Sequence, residues 1–149
     1  MNWAYIAGFF DGEGCITFNG KGFRIAVAQT NFEVLERIKK FVGLGFIIKP
    51  TKRKAHWKDS WVYYIARQKD IYIFLRKILK HLVVKRQLAE ITIPKLKTII
   101  DNQQRRIDRR QKLVRISRKL RKEGLTFRAI GKKLKIDFGY ARQLILNGK

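Results

Sequence analysis

The fold of this 149-residue chain is decided by the stretch Tyr5-Ile-Ala-Gly-Phe-Phe-Asp-Gly-Glu-Gly-Cys-Ile16. In a helix, residues four apart lie on the same side, so Ala4, Gly8 and Gly12 form one stripe of small residues. Such a stripe lets a second helix approach closely, backbone against backbone. The sequence therefore predicts a helix that packs against another helix, with its large apolar side chains turned toward a core.

The end of this helix carries an unusual acid, Glu13. A carboxylate in the last turn faces the negative end of the helix dipole, at a cost of roughly 0.3–1 kcal/mol unless a cation offsets it. If two copies pack along the stripe, two Glu13 carboxylates and helix-end carbonyls such as that of Gly12 converge on an oxygen-rich site suited to Mg²⁺. Metal ions held by paired carboxylates hydrolyse phosphodiesters. Gly14 suits a left-handed cap that would end the helix.

The residues Ile6-Ala-Gly-Phe-Phe-Asp-Gly-Glu-Gly14 resemble the nine-residue signature of the LAGLIDADG homing endonucleases. Ala7, Gly8, Asp11 and Gly14 match its letters, and Glu13 stands where that family places its metal-binding acid. The resemblance extends over residues 1–98 and implies a homodimer, because the chain has one such signature. It places the dimer interface at Ala4, Ala7, Gly8, Asp11 and Gly12. For Asp11 we also expect hydrogen bonds at the helix end rather than metal ligation.

The charge of the chain points to a polyanionic partner. Lys and Arg number 35 against 11 Asp and Glu, a net charge of +24 with a pI near 10.7. Nucleic acid is the first candidate and a membrane surface the rival. No apolar run approaches the roughly 18 residues of a spanning helix, and the N-terminus lacks a signal peptide, so we expect an intracellular protein without a membrane partner. The compartment would be the cytoplasm or nucleoid, or an organelle matrix.

Cysteine and histidine are too few for several other kinds of chemistry. Cys15 is the single cysteine, which excludes an internal disulfide and fits a reducing compartment. His56 and His81 do not have zinc-ligand spacing. No Cys-His or Ser-His-Asp set can be assembled, which disfavours nucleophilic catalysis by a side chain. No small-molecule cofactor is expected.

Hydrophobic periodicity and turn residues predict an α+β fold for residues 1–98, in the order αββαββα. After the first helix we expect strands at 15–18 and 23–29, a helix at 32–42, strands at 46–52 and 60–66, and a helix at 69–79. Pro50 limits the third strand to an edge or a bulge. A further helix opens at Lys85 and is kinked or broken by Pro94. The strands would form one antiparallel four-stranded sheet.

One face of this sheet is expected to be basic and, by the resemblance, to form a saddle whose strands lie in the major groove of DNA. The candidate DNA contacts on this side are Thr17, Asn19, Lys21, Arg24, Lys49, Lys52, Arg53 and Tyr64.

Two more positions fit the active site of the resembled family. Gln29 ends the second strand, where the family commonly has a Gln that orders water. Lys85 matches a family Lys that stabilises charge near the scissile phosphate. Because Leu88 interrupts the usual Gln-Ala pair, Arg86 remains an alternative to Lys85, which we favour.

Residues 95–149 hold 18 basic against 4 acidic residues, so +14 of the net charge lies there. We expect a basic linker at 99–109, helical or extended. Residues 110–149, with Gly124-Leu-Thr126 before a short helix, resemble a helix-turn-helix of the resolvase or sigma-factor sort, which implies a small all-α helix-turn-helix domain. Its recognition helix, at 138–146, would present Tyr140, Arg142 and Gln143 to DNA. The alternative is a basic three-helix tail that grips phosphates without reading sequence.

Taken together, the motif and the resemblance imply a site-specific homing endonuclease, intron-encoded in type. It would make a Mg²⁺-dependent double-strand break in a long, near-palindromic DNA target and leave short 3′ overhangs; Mn²⁺ can take the place of Mg²⁺. One alternative is a catalytically silent DNA-binding regulator or an intron-splicing helper (maturase). Another is a basic RNA-packaging or ribosome-associated protein, which would explain the charge but not the helix stripe.

Overall fold

A computed structural model of the chain describes residues 1–51, 56 and 58–147. The elements are α1 (Trp3–Glu13), β1 (Gly14–Phe18), β2 (Phe23–Gln29), α2 (Phe32–Val42), β3 (Phe46–Ile48), β4 (Trp61–Ile65), α3 (Gln68–Ile78), α4 (Arg86–Lys122), α5 (Phe127–Leu134) and α6 (Phe138–Asn147), with a short 3₁₀ turn at Leu79–His81. They divide into two compact units, Met1–Ile100 and Asp101–Lys149.

The first unit is built on one antiparallel sheet with the strand order β1-β2-β4-β3. This confirms the predicted α+β fold with a four-stranded antiparallel sheet. Ile25 and Val27 of β2 and Tyr63 and Ile65 of β4 are buried on the inner face of the sheet. The outer face carries the alternate residues of each strand. Helices α1, α2 and α3 contribute to the same core as the inner face.

Local signals explain why α2 begins and ends where the sequence predicted. The side chain of Asn31 accepts a hydrogen bond from Val34 N at 3.2 Å, which caps the first turn. Leu35, Ile38 and Val42 are buried at helical spacing. Gly43 then ends the helix in the left-handed region, with φ of 71°.

The core is completed by aromatic packing and one buried phenol. Phe10 of α1 packs edge to face on Phe74 of α3, with ring centroids 5.5 Å apart. Tyr63 is fully buried, and its hydroxyl donates to the backbone oxygen of Leu44 at 2.6 Å. Burial, together with the negative charge of Asp70, raises the pKa of Tyr63, so this phenol stays protonated. The ring contact therefore holds α1 against α3, and the hydrogen bond joins β4 to the turn after α2.

The predicted left-handed cap at Gly14 is wrong. Gly14 has φ of −84° and ψ of 153°, so the chain passes from α1 into β1 without a loop. Glycine is needed here for space rather than for conformation, because a Cβ atom would lie 2.1 Å from a ring carbon of Phe10.

Two proline-related predictions had different outcomes. Strand β3 lies at the sheet edge and ends at Ile48, before Pro50, as that proline led us to expect, and it is shorter than the predicted strand. In contrast, Pro94 does not break α4, which runs unbroken from Arg86 to Lys122. Buried residues on both sides of the exposed Pro94, Ala89 and Leu96, anchor the helix to the core, and this packing outweighs the lost hydrogen bond.

The second unit contains the end of α4 with α5 and α6 around a small core of Leu120, Ile130 and Ala141. Thr126 caps α5 by accepting from Ala129 N at 3.3 Å, and Asp137 accepts from Gly139 N at 2.7 Å at the start of α6. Lys135, between α5 and α6, has φ of 52°, a left-handed conformation in which Gly is usual. The predicted linker at 99–109 lies within α4 and is helical.

We expect Gly14→Ala to lower the free energy of unfolding by about 1–3 kcal/mol, because the added methyl group overlaps the Phe10 ring. Urea denaturation followed by circular dichroism measures this change. Phe10→Leu combined with Gly14→Ala should cost less than the sum of the two single changes, because the smaller side chain vacates the space. Additive costs would show that the two residues do not clash.

Candidate functional site

The site begins at the end of α1, where Glu13 is the last helical residue and is exposed. Because β1 starts at the next residue, no flexible loop separates Glu13 from the sheet. The backbone N–H of Gly14 donates to the carbonyl of Phe10, which continues the helical hydrogen bonding to this point. Helix and strand therefore both hold the backbone of Glu13 in place.

Asp11 ties the end of α1 to the segment that leads into α4. Its carboxylate accepts hydrogen bonds from Val83 N at 2.7 Å and from Lys85 N at 2.9 Å. Burial alone would raise the pKa of Asp11, but backbone N–H groups of Val83, Lys85 and Val84 and the charge of Lys85 outweigh it, so the pKa is lowered. Asp11 is thus held as a carboxylate by the chain itself.

Lys85 lies at the same helix end as Glu13. Its Nζ donates to the backbone oxygen of Asp11 and lies 6.0 Å from the centroid of the Phe10 ring. Arg86, the alternative, points its guanidinium to Glu90, with Nε 3.1 Å from Oε1. The geometry therefore brings Lys85, and not Arg86, to the end of α1.

Gln29 is the last residue of β2 and shares the inner face with Val27. The antiparallel register pairs Gly14 with Val27, so Gln29 lies at the sheet end where α1 finishes. Its side-chain oxygen accepts from Thr30 N at 2.8 Å and from Thr30 Oγ1 at 3.2 Å. The structure gives no direct contact between Gln29 and Glu13.

The small-residue stripe of α1 is exposed, at Ala4, Gly8 and Gly12. A Cβ atom added at Gly8 or Gly12 would meet nothing within 4 Å, so no contact within the described chain requires glycine there. Ala7, predicted for the same interface, is 0% exposed and belongs to the core of the first unit. That prediction is wrong for Ala7, because other residues of the same chain already cover it. The Asp11 carboxylate accepts hydrogen bonds from Val83 and Lys85 of the same chain.

Three predicted DNA contacts share the outer face of the sheet. Thr17 pairs with Arg24 across β1 and β2, and Tyr64 pairs with Ala26 on the next strand. Asn19 and Lys21 lie in the exposed turn before β2, where the Asn19 oxygen accepts from Lys21 N at 3.1 Å.

The outer face is less basic than the sequence suggested. In the four strands, all of them in the described part of the chain, Arg24 is the one Lys or Arg residue. The other cations flank the sheet in turns and loops. Lys49, after β3, is paired with Asp59 at 2.9 Å and lies 5.4 Å from the Trp61 ring centroid. Lys52 and Arg53 lie outside the described residues.

A family model described as a LAGLIDADG-like domain matches residues 2–79. This chain belongs to the LAGLIDADG family. The matched region contains α1 with Glu13, the whole sheet, and α2 and α3. Residues 80–149 lie outside it, so Lys85 and the second unit do not contribute to this assignment.

Solved structures of LAGLIDADG homing endonucleases have a similar fold. The archaeal intron-encoded enzyme I-Vdi141I complexed with DNA is 24% identical with a TM-score of 0.53, over 96% of this chain and 93% of that one. The meganuclease I-AabMI bound to uncleaved DNA is 21% identical with a TM-score of 0.58, over 76% and 43%. I-CvuI, in complex with a DNA target in the presence of 2 mM Mg and with the DNA not cleaved, is 24% identical with a TM-score of 0.52, over 65% and 66%. No curated protein matches the sequence at a significant level.

The described part of this chain offers few ligands for a metal ion. The described residues contain no group of three or more His, Cys, Asp and Glu side chains able to hold one. Glu13 is the exposed acid at the end of α1, and the backbone oxygen of Gly12 is next to it in the chain. Oxygen donors of this kind suit Mg²⁺, but one carboxylate fits the ion only if a second chain or a substrate adds ligands.

In the second unit, the predicted contact residues lie on the exposed side of α6. Tyr140, Arg142 and Gln143 are exposed, whereas Ala141 and Leu144 are buried. Among the described helices, none has the length and apolarity needed to cross a bilayer.

We expect Asp11→Asn to destabilise the LAGLIDADG unit by about 1–2 kcal/mol at neutral pH, because hydrogen bonds to a charged acceptor are lost. The folded-state pKa of Asp11 is lowered from the ordinary 3.8, so its stabilisation is complete above that pH and is lost as pH falls through the folded value. The difference between wild type and variant should therefore shrink in acid. Urea denaturation across pH measures it, with Glu36→Gln, an exposed acid of α2, as a control for the loss of one negative charge. A difference independent of pH would contradict this account.

Proposed function

We propose that the chain is a homodimeric homing endonuclease that makes a Mg²⁺-dependent double-strand break in a long, near-palindromic DNA target. The observation that carries the proposal is the arrangement at the end of α1. An exposed acid, Glu13, lies on a helix with an open small-residue stripe, and Lys85 is held at the same helix end. Family membership and the net charge of +24 support DNA as the substrate.

Pairing of two chains along Ala4, Gly8 and Gly12 completes the site. Each chain supplies one Glu13, so a twofold axis between the α1 helices brings two carboxylates together. The open space beside Gly8 and Gly12 supports this pairing, since glycine has no packing role there within one chain. A twofold enzyme recognises a roughly palindromic target, as symmetric DNA-binding dimers do.

Glu13 and the Gly12 carbonyl would hold Mg²⁺, with Mn²⁺ as a substitute. When bound, such an ion activates water and stabilises charge on phosphate oxygens. The α1–β1 junction holds the backbone of Glu13 in place, and its side chain is exposed, which supports this role. Asp11 is not needed as a ligand, since its carboxylate binds the backbone of Val83 and Lys85.

Lys85 would stabilise the negative charge that develops on the phosphate. Its ammonium group has three N–H donors, and the Asp11 carbonyl accepts one hydrogen bond from it. The remaining donors can reach an anionic oxygen, a kind of electrostatic stabilisation that contributes strongly to catalysis. Gln29 would order water near the site. Cleavage with these residues would leave short 3′ overhangs.

DNA would lie against the outer face of the sheet, with strands in the major groove. Thr17, Arg24 and Tyr64 would face the bases, and Asn19, Lys21 and Lys49 would contact DNA from the flanking turns and loops. The second unit would lengthen the target by binding flanking DNA as a helix-turn-helix domain. In that case Tyr140, Arg142 and Gln143 of α6 are the contact residues.

The test is cleavage of a randomised duplex library by the purified protein, with sequencing of the ends. With Mg²⁺, the wild-type protein should produce DNA ends that recur at one near-palindromic sequence. Glu13→Gln should abolish cleavage and preserve binding, and Lys85→Met should slow cleavage by about 10²–10³-fold. Arg86→Met is the matched control and should cleave at close to the wild-type rate, because Arg86 binds Glu90 instead.

Two outcomes would count against the proposal. Cleavage that survives Glu13→Gln would exclude this acid as the metal ligand. DNA that is bound but uncut with every metal ion would favour a silent DNA-binding regulator or an intron-splicing helper.

A further inference from the structure

The middle of α4 is a helix without tertiary support. Every residue from Asp101 to Lys112 is exposed, whereas α4 contributes buried residues on either side, Leu96 before this segment and Val114 after it. Core packing anchors α4, a helix of 37 residues, on either side of this segment. It does not account for the residues of the segment itself.

Five cations of this segment form one face of the helix. With about 100° of rotation per residue, Arg105, Arg106, Arg109, Arg110 and Lys112 fall within an arc of about 160°. We call these five residues the basic face. The acids of the segment, Asp101 and Asp108, lie outside this arc, and Asp108 accepts from Gln104 Nε2 at 2.9 Å.

The basic face is unfavourable for an isolated helix. Arg105 and Arg109, and likewise Arg106 and Arg110, are four residues apart, so their like charges repel on the helix surface. Within the described ranges, no hydrogen bond or ion pair of the structure engages any of the five side chains. A surface of negative charge would remove the repulsion and stabilise the helix.

We infer that the basic face binds the phosphate backbone of duplex DNA without reading its sequence. The inference rests on the proposed function for the identity of the polyanion. At about 1.5 Å per residue the face is about 10 Å long, which spans about three phosphates of one strand at 3.4 Å each. Four of the five cations are Arg, whose planar guanidinium binds phosphate in a bidentate manner. The segment would thus be a DNA-binding element in its own right, in addition to connecting two units of the chain.

The test compares the salt dependence of binding for charge-matched variants of the full chain. One variant carries Arg105→Gln, Arg106→Gln, Arg109→Gln and Arg110→Gln, and Gln preserves helix propensity. The control carries Lys39→Gln, Lys40→Gln, Arg76→Gln and Lys77→Gln, which removes the same charge from exposed positions on α2 and α3. Fluorescence anisotropy with a duplex of arbitrary sequence, between about 50 and 200 mM salt, gives the slope of log K against log salt concentration.

The basic-face variant should bind more weakly than the wild type. Its slope should be shallower by about 0.9 for each phosphate that the helix no longer neutralises, roughly 2–3 in total. The control should keep nearly the wild-type slope. A second variant with Lys at the same four positions keeps the charge and should retain most of the slope. Circular dichroism of each variant reports whether the helix has been retained.

Equal slopes for the basic-face variant and the control would overturn the inference, since net charge alone would then account for binding. It would also be overturned if the Lys variant lost as much as the Gln variant, or if the Gln variant lost affinity only for RNA or for anionic vesicles. Failure of the proposed endonuclease is a separate observation, because it is measured as the absence of cleavage by the wild-type protein.

Discussion

The structure depends on the hydrogen bonds between the Asp11 carboxylate and the backbone N–H groups of Val83 and Lys85. They join the end of α1 to a segment more than seventy residues later in the chain, and they bring the Lys85 ammonium to the carbonyl of Asp11. The exposed Glu13 lies two residues beyond this junction. The partly buried carboxylate of Asp11 thereby sets the position of the Lys85 ammonium relative to Glu13 and to the start of β1. Inside the signature, Asp11 therefore holds the segment that carries Lys85 against the end of α1.

The two sides of helix α1 have different surroundings. Ile6, Ala7 and Phe10 are buried in the core of the first unit. On the other side, Ala4, Gly8 and Gly12 face open space within the chain. A helix with a large-residue core side and an exposed glycine side is suited to a shared interface between two copies. In the proposed dimer, the Glu13 carboxylates at the ends of the two helices would belong to one shared site, and the described residues of a single chain contain no cluster of metal ligands.

Much of the fold could be predicted because its signals are local. Asn31 and Gly43 set the ends of α2, and alternation of side chains set β2 at Phe23–Gln29. The motif predicted Glu13 and the resemblance predicted Lys85 as site residues, and the structure places both at the end of α1. Other features depend on distant contacts and could not be predicted. The space filled by the Phe10 ring determines Gly14, core packing on both sides carries α4 through Pro94, and the segment that Asp11 binds is remote in sequence. The sheet face is less basic than predicted for a related reason. The number of Lys and Arg residues in a segment does not show which of them lie in strands and which lie in loops.

The central claim is that two chains each contribute Glu13 to one active site at paired α1 helices. The most direct test is a heterodimer of one wild-type and one Glu13→Gln chain, isolated with two different affinity tags. The account predicts that this heterodimer binds the target and makes neither a double-strand break nor a nick, because both Glu13 carboxylates belong to one shared site. A nick in one strand at close to the wild-type rate would contradict it, because the wild-type chain would then hold a complete site of its own.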